Sequence, residues 1–121
     1  MLVIKDIELV GLLHWNGEGK VPVDTLLRLE RQRCHQHDQN AIVCIDIEGH
    51  CRGYIAKDQA VTLAPFVDSC DQEVFMKVVG KRQLRFLEQG PMQLCDIILH
   101  VDSEEASKYM SSLKCLNTII I

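Results

Sequence analysis

The segment AIVCIDIE, Ala41 to Glu48, alternates with a period of two. Ala41, Val43, Ile45 and Ile47 fall on one face of an extended chain, and Ile42, Cys44, Asp46 and Glu48 on the other. Successive side chains of a strand point to opposite sides, so this pattern reads as a β-strand. Glu48, Gly49 and His50 then make a tight connection, and Arg52 to Ala56 opens a partner strand. The centre of the chain is therefore a β-hairpin. An isolated hairpin is marginal in water, so further strands must flank it.

The flanks supply them. Upstream, Leu26 to Arg31 sets Leu27, Leu29 and Arg31 against Arg28 and Glu30, which fits a second strand. LVIKDIELVGLLHW, from Leu2 to Trp15, alternates loosely and reads as a strand ending near Gly11 to Trp15. NGEGK, Asn16 to Lys20, is a turn, and RCHQHDQN, Arg33 to Asn40, is a polar loop. Downstream the period changes. Ala60, Leu63, Ala64 and Val67 are spaced i, i+3, i+4, i+7, which predicts a short helix over Lys57 to Asp68. Pro65 is expected to loosen or end it.

Glu73 to Val79 and Gln93 to Val101 read as two more strands, the second placing Cys95, Ile97, Leu99 and Val101 on one side. Ser103 is the expected N-cap of a last helix, with Glu104 and Glu105 in the first turn, where the helix dipole favours acids. Ala106, Tyr109, Met110 and Leu113 share one face of it. The tail, Leu116 to Ile121, ends in three isoleucines, either docked on the domain or offered to a protein partner. The order predicts a mainly β chain: a small OB-like antiparallel β-barrel with one inserted helix and a C-terminal helix. Residues 1–102 would form the barrel. Residues 103–121 would form the C-terminal helix and an apolar tail packed on it or extending it.

The composition bounds the function. The chain has 121 residues, 47% hydrophobic and 25% charged, which suits one domain with a packed core. No apolar run reaches the roughly 18–20 residues that span a bilayer, so no membrane partner is expected. Lys5, Asp6 and Glu8 within the first ten residues exclude a secretory signal peptide. An intracellular setting follows, nuclear in a eukaryote and cytoplasmic in a microbe. The six cysteines (Cys34, Cys44, Cys51, Cys70, Cys95 and Cys115) are then expected as free thiols.

Thirteen basic residues oppose 17 acidic ones, a formal net charge of -4. That excludes a module held to nucleic acid by bulk charge, whose pI lies above about 9. It leaves room for a small, local nucleic-acid site.

Catalytic signatures are missing. The chain holds no GxSxG, GxxxxGK or GxGxxG, so neither an enzyme nor a bound cofactor is expected. Cys34, His35, His37 and Asp38 crowd one loop, with His50 and Cys51 nearby in sequence, but no CxxC or HxxxH pair is present. Adjacent Cys34 and His35 would diverge on an extended backbone, so the cluster reads as a solvated loop and not as a metal centre. A binding surface remains. Trp15, the single tryptophan, has polar neighbours in His14 and Asn16, and is either core or a ligand platform. Asp38, followed by Gln39 and Asn40, fits an Asx turn leading into the Ala41 strand.

Three segments together resemble the HIRAN domain family: VGLLHWNG (10–17), RLERQRCHQHDQNAIVC (28–44) and GYIAKDQAVTLAPFVD (53–68). The matching positions include Val10, Gly11, Leu12, Arg31, Asp38, Asn40, Ala41, Ile42, Gly53, Tyr54, Ile55, Ala60, Leu63, Ala64 and Pro65. The resemblance implies an OB-like barrel that captures the 3′-hydroxyl end of single-stranded DNA, in DNA repair or replication-fork processing. It implies that Asp38 accepts a hydrogen bond from the terminal hydroxyl. His14 and Trp15 then correspond to an aromatic pair packing on terminal bases, and His37 to a position where an aromatic is common. Tyr54 corresponds to a further contact, and Lys57 could reach a phosphate.

Stacking on bases contributes about 1–3 kcal/mol per base without reading sequence, so such a site needs little positive charge. Leu13 and Gln39 stand where the family commonly has Arg and Lys, and Arg33 and Gln36 where it has prolines. Those departures, with the acidic balance, keep a second expectation in view: a protein-interaction or assembly module on the same barrel that has lost DNA binding.

Overall fold

The computed structural model describes residues 1–12, 20–32, 38–84 and 90–121. Its strands are β1 (Leu2–Val10), β2 (Leu26–Arg31), β3 (Ile42–Ile45), β4 (Cys51–Ile55), β5 (Val74–Val78), β6 (Gln83–Leu84), β7 (Pro91–Leu99) and β8 (Asn117–Ile120). Helix α1 (Lys57–Ser69) lies between β4 and β5. Helix α2 (Ser103–Met110) follows β7 and runs into a 3-10 turn, Ser111–Leu113.

Six strands close a ring in the order β1, β4, β3, β2, β5, β7 and back to β1, every neighbour antiparallel. β6 adds to β7 outside the ring, and β8 adds to β1. This is the small OB-like barrel that the strand pattern predicts. Closure leaves the six ring strands with partners on both sides.

One strand does more than the others. β1 pairs with β7 along most of its length, with β8 over Leu2 to Lys5 and with β4 at Leu9 and Val10. A break in register between Ile4 and Ile7 makes this sharing possible. There Asp6 adopts φ 62°, unusual for a residue with a side chain. Gln59 of α1 holds the bulge in place. Its Nε2 donates to the Asp6 carbonyl at 2.9 Å, and its Oε1 accepts from the Glu8 N–H at 2.8 Å. Asn117 Nδ2 adds a bond to Asp6 Oδ2 at 3.1 Å.

Alternation along the ring strands fills the barrel. Leu2, Ile4, Ile7 and Leu9 of β1 meet Leu27, Leu29, Ile42, Cys44, Met76, Val78, Cys95, Ile97 and Leu99, all buried. α1 adds Leu63 and Phe66 to the same core. The Phe66 ring meets Tyr109 of α2 edge to face, centroids 5.1 Å apart, so the two helices share one contact.

Several elements differ from the sequence reading. The central strand stops at Ile45, not at Glu48, and Ile47 is 98% exposed. Asp46 ends it: its Oδ1 accepts from the N–H of Glu48 and of His50, both at 2.9 Å, and turns the chain early. Pro65 does not end its helix, which runs on to Ser69. Pro65 lies on the exposed face, as does Val61, the residue whose carbonyl would have received the missing hydrogen bond. The N-cap of α2 is Asp102, not Ser103: its carboxylate accepts from the Glu105 N–H at 2.8 Å. The Leu116 to Ile121 tail is largely the strand β8. Among the described residues no helix is long and apolar enough to cross a membrane.

Candidate functional site

The geometry around Tyr54 begins with a glycine. Gly53 sits at φ 155°, and a Cβ there would lie 2.5 Å from the Val10 carbonyl oxygen. Only glycine allows β4 to approach β1 this closely. The approach sets Tyr54 directly between Val10 of β1 and Val43 of β3, with Glu30 of β2 next in the same row. Residues directly opposite one another share a face, so the Tyr54 ring lies on the outer face of the barrel. Gly11, at φ 75°, turns the chain out of β1 at the end of that row.

Tyr54 is fixed by the residue that follows β2. Its hydroxyl donates to Gln32 Oε1 at 3.0 Å. Burial raises its pKa above the usual phenol value, as does the nearby Cys51 thiol, and the Gln32 bond offsets only part of this. Tyr54 is therefore a neutral donor near neutral pH. Gln32 in turn donates its backbone N–H to the Ala41 carbonyl at 2.9 Å.

The same carbonyl is gripped by Arg31. Its Nη1 donates to Ala41 O and to Gln39 O, both at 3.1 Å. Its Nε is buried, lacks a well-aligned hydrogen bond, and lies 3.3 Å from Asp68 Oδ1 of α1. Arg31 thus ties the 38–41 turn to both β2 and α1. Within that turn Asp38 Oδ1 accepts from the Asn40 N–H at 2.9 Å, and the Asp38 carbonyl accepts from Ala41 N–H at 3.3 Å. The Asx turn is present. Among the described residues this is the single hydrogen bond to the Asp38 carboxylate, so Oδ2 remains able to accept another.

Asp38 and Tyr54 are thus linked by one run of hydrogen bonds through Ala41 and Gln32. Lys57 is the exposed first residue of α1, three positions beyond Tyr54. No hydrogen bond or ion pair among the described residues joins it to either. His14, Trp15 and His37 lie outside the described residues, as do Cys34 and His35.

Cys44 and Cys95 are buried in the core as free thiols. Burial raises both, with the Asp96 charge adding to the effect on Cys95, which reaches about 12. They are inert packing groups at neutral pH. Among the described residues no three His, Cys, Asp or Glu side chains converge as a metal site requires.

Sequence reading missed three supporting groups: Arg31 as a clamp, Gln32 as the acceptor for Tyr54, and Gln93. Gln93 is 1% exposed and makes three bonds. Its Oε1 accepts from Val21 N–H at 2.6 Å, and its Nε2 donates to Val21 O at 2.7 Å and Gly80 O at 2.9 Å. It anchors the chain at Val21, ahead of β2. The signal was in the strand pattern: Gln93 has the same phase as buried Cys95, Ile97 and Leu99.

The family model of the HIRAN domain matches residues 5–94, which is 90 of the 121 residues. The chain belongs to the HIRAN domain family. Solved structures agree on the fold. The crystal structure of the HIRAN domain of human HLTF is similar with a TM-score of 0.64 at 19% identity, covering 93% of this chain and 91% of that one. The NMR structure of the HLTF HIRAN domain gives 0.64 at 20% identity, covering 99% and 93%. A protein from Lactobacillus plantarum gives 0.57 at 22% identity, covering 81% and 97%. No curated protein matches the chain by sequence. In this HIRAN domain, VGL carries the positive-φ Gly11, DQNA carries the Asx turn, and GYI carries the close approach and the Tyr54 ring.

Proposed function

We propose that this HIRAN domain is a non-catalytic module that binds DNA, and that it takes the end of a single strand bearing a free 3′-hydroxyl. Family membership supports the DNA-binding part. The Asp38 carboxylate carries the finer part: one oxygen is engaged by the turn, and the other can accept from a hydroxyl. A carboxylate accepts a hydrogen bond from a hydroxyl and repels a phosphate, so the site would distinguish the two ends. In this reading Tyr54 forms a wall beside the end and Lys57 meets a phosphate. His14, Trp15 and His37 stack on or flank the terminal bases. The setting is intracellular DNA repair or replication-fork processing.

The test is a titration of labelled single strands that differ only in a 3′-hydroxyl or a 3′-phosphate. The wild type is expected to prefer the hydroxyl by tenfold or more, a discrimination of about 1.4 kcal/mol. Asp38→Asn keeps an acceptor for the Asn40 N–H and removes the charge. It should bind the hydroxyl end within a few-fold of wild type and lose the discrimination. Equal wild-type affinity for both ends would overturn the reading.

A further inference from the structure

Among the described residues β8 ends the sheet order, with β1 along one edge and an open edge along the other. The phase of its hydrogen bonds follows from Ile121, the residue just beyond it. Met1 N donates to Ile121 O at 2.7 Å, and Ile121 N donates to Met1 O at 2.8 Å, so these two form a hydrogen-bonded pair. Such pairs alternate with non-hydrogen-bonded ones along an antiparallel ladder. The register runs Leu2 to Ile120, Val3 to Ile119, Ile4 to Thr118 and Lys5 to Asn117. Ile119 and Asn117 therefore turn their backbone groups toward β1. Thr118 and Ile120 turn theirs to the open edge.

Sheet edges in natural proteins are usually guarded by lysine, proline or a bulge. Leu116 to Ile121 holds no charged side chain and no proline. Ile119 is 41% exposed and Ile121 73%.

We propose that this edge pairs with β8 of a second copy of the chain, antiparallel across a two-fold axis at Ile119. The strip is its own complement. Its outward groups sit at 118 and 120, symmetric about 119. A reversed copy places Thr118 opposite Ile120 of the second copy, and Ile120 opposite its Thr118. Each is a hydrogen-bonded pair, giving four N–H to C=O bonds. Ile119 then faces its own counterpart as a non-hydrogen-bonded pair, the closer kind, with Cα atoms about 4.5 Å apart. Asn117 faces Ile121. No charge meets a like charge along the strip, although each chain carries -4.

The pairing closes on itself, because neither β8 edge remains open afterwards. It stands apart from DNA binding. β8 lies against Leu2 to Lys5, while Tyr54 lies opposite Val10, five residues or roughly 16 Å further along β1.

Sedimentation equilibrium from about 10 μM to about 1 mM tests it, since a small strip gives a weak pair. The average mass should rise toward twice that of the monomer. Ile119→Lys, which sets two ammonium groups face to face at the axis, should hold the monomer mass at every concentration with unchanged melting. In a Cys115→Ser background, Ile119→Cys should form a covalent dimer under mild oxidation, and Asn117→Cys should not. The cysteine pair decides the matter if Ile119→Lys does not fold. Constant wild-type mass up to 1 mM would overturn the proposal, as would dimerisation unaffected by Ile119→Lys or equal cross-linking at 117 and 119. A wild type that stays monomeric but binds a foreign strand peptide would also overturn it.

Discussion

Gln93 is the residue on which the barrel's outer connections depend. Its three hydrogen bonds serve Val21 and Gly80, neither of which lies in a strand. Replacing it with Leu keeps the volume and leaves the Val21 N–H, the Val21 carbonyl and the Gly80 carbonyl unserved. A buried polar group without a partner costs about 1–3 kcal/mol, so Gln93→Leu should lower stability by about 3 kcal/mol. Urea denaturation measures this, and a change under 1 kcal/mol would show that water replaces the amide. Gly53→Ala acts by another route, because its Cβ would press on the Val10 carbonyl while φ stays at 155°. A loss of about 2–4 kcal/mol is expected, together with a shift in Tyr54 fluorescence or ring NMR signals as β4 moves off β1.

At the scale of elements, alternation made β2 readable to its last residue, because Leu27 and Leu29 face the core and Arg28 and Glu30 do not. The same rule overran the neighbouring strand. Ile47 continues the pattern on paper, but the Asp46 carboxylate satisfies two backbone N–H groups and breaks the ladder first. β6, of two residues, is too short to leave any period in the sequence. Of the candidate site, the Asx turn was legible for a local reason, whereas Tyr54 entered only through the family resemblance. Asp38 with Asn40 is a turn motif, while the close approach at Gly53 depends on β1, more than forty residues away. Arg31 and Gln32 were not legible as supports, since their partners are distant carbonyls and side chains that only the closed ring brings near.

The β3–β4 hairpin should respond to acid. Burial alone would raise the Asp46 carboxyl, but the His50 N–H, the Arg52 guanidinium and the Glu48 N–H together hold it below its usual value. A carboxyl depressed in the folded state stabilises above its unfolded pKa, and that contribution is lost as pH falls through the folded one. Asp46→Asn should therefore melt below wild type at neutral pH, and the gap should narrow as pH falls through and below the ordinary carboxyl range. A gap that stays constant with pH would assign the effect to packing instead of charge.

For the whole molecule, the acidic balance limits how DNA can be held. A site with one or two phosphate contacts releases few counterions, and the affinity of a single strand falls with a log–log slope of about -0.7 per contact. Binding should weaken by less than about tenfold between 50 and 200 mM salt. A drop of a hundredfold or more would point to a broad basic track that the net charge of -4 argues against. Fluorescence anisotropy at four salt concentrations gives the slope.

The bulge at Asp6 has a consequence for how the chain is made. Within this domain β1 is synthesised before its main partner, β7, which runs to Leu99. Pairing ends so far apart in sequence is slow, because the loop between them must close before any contact rewards it. A nascent chain therefore carries an apolar N-terminal strand, Leu2 to Val10, in search of a mate until most of the domain has left the ribosome. Ending translation at residue 94, where the family match stops, would remove five of the nine residues of β7 and leave the ring open. The seam between β1 and β7 sets the moment at which the ring can close.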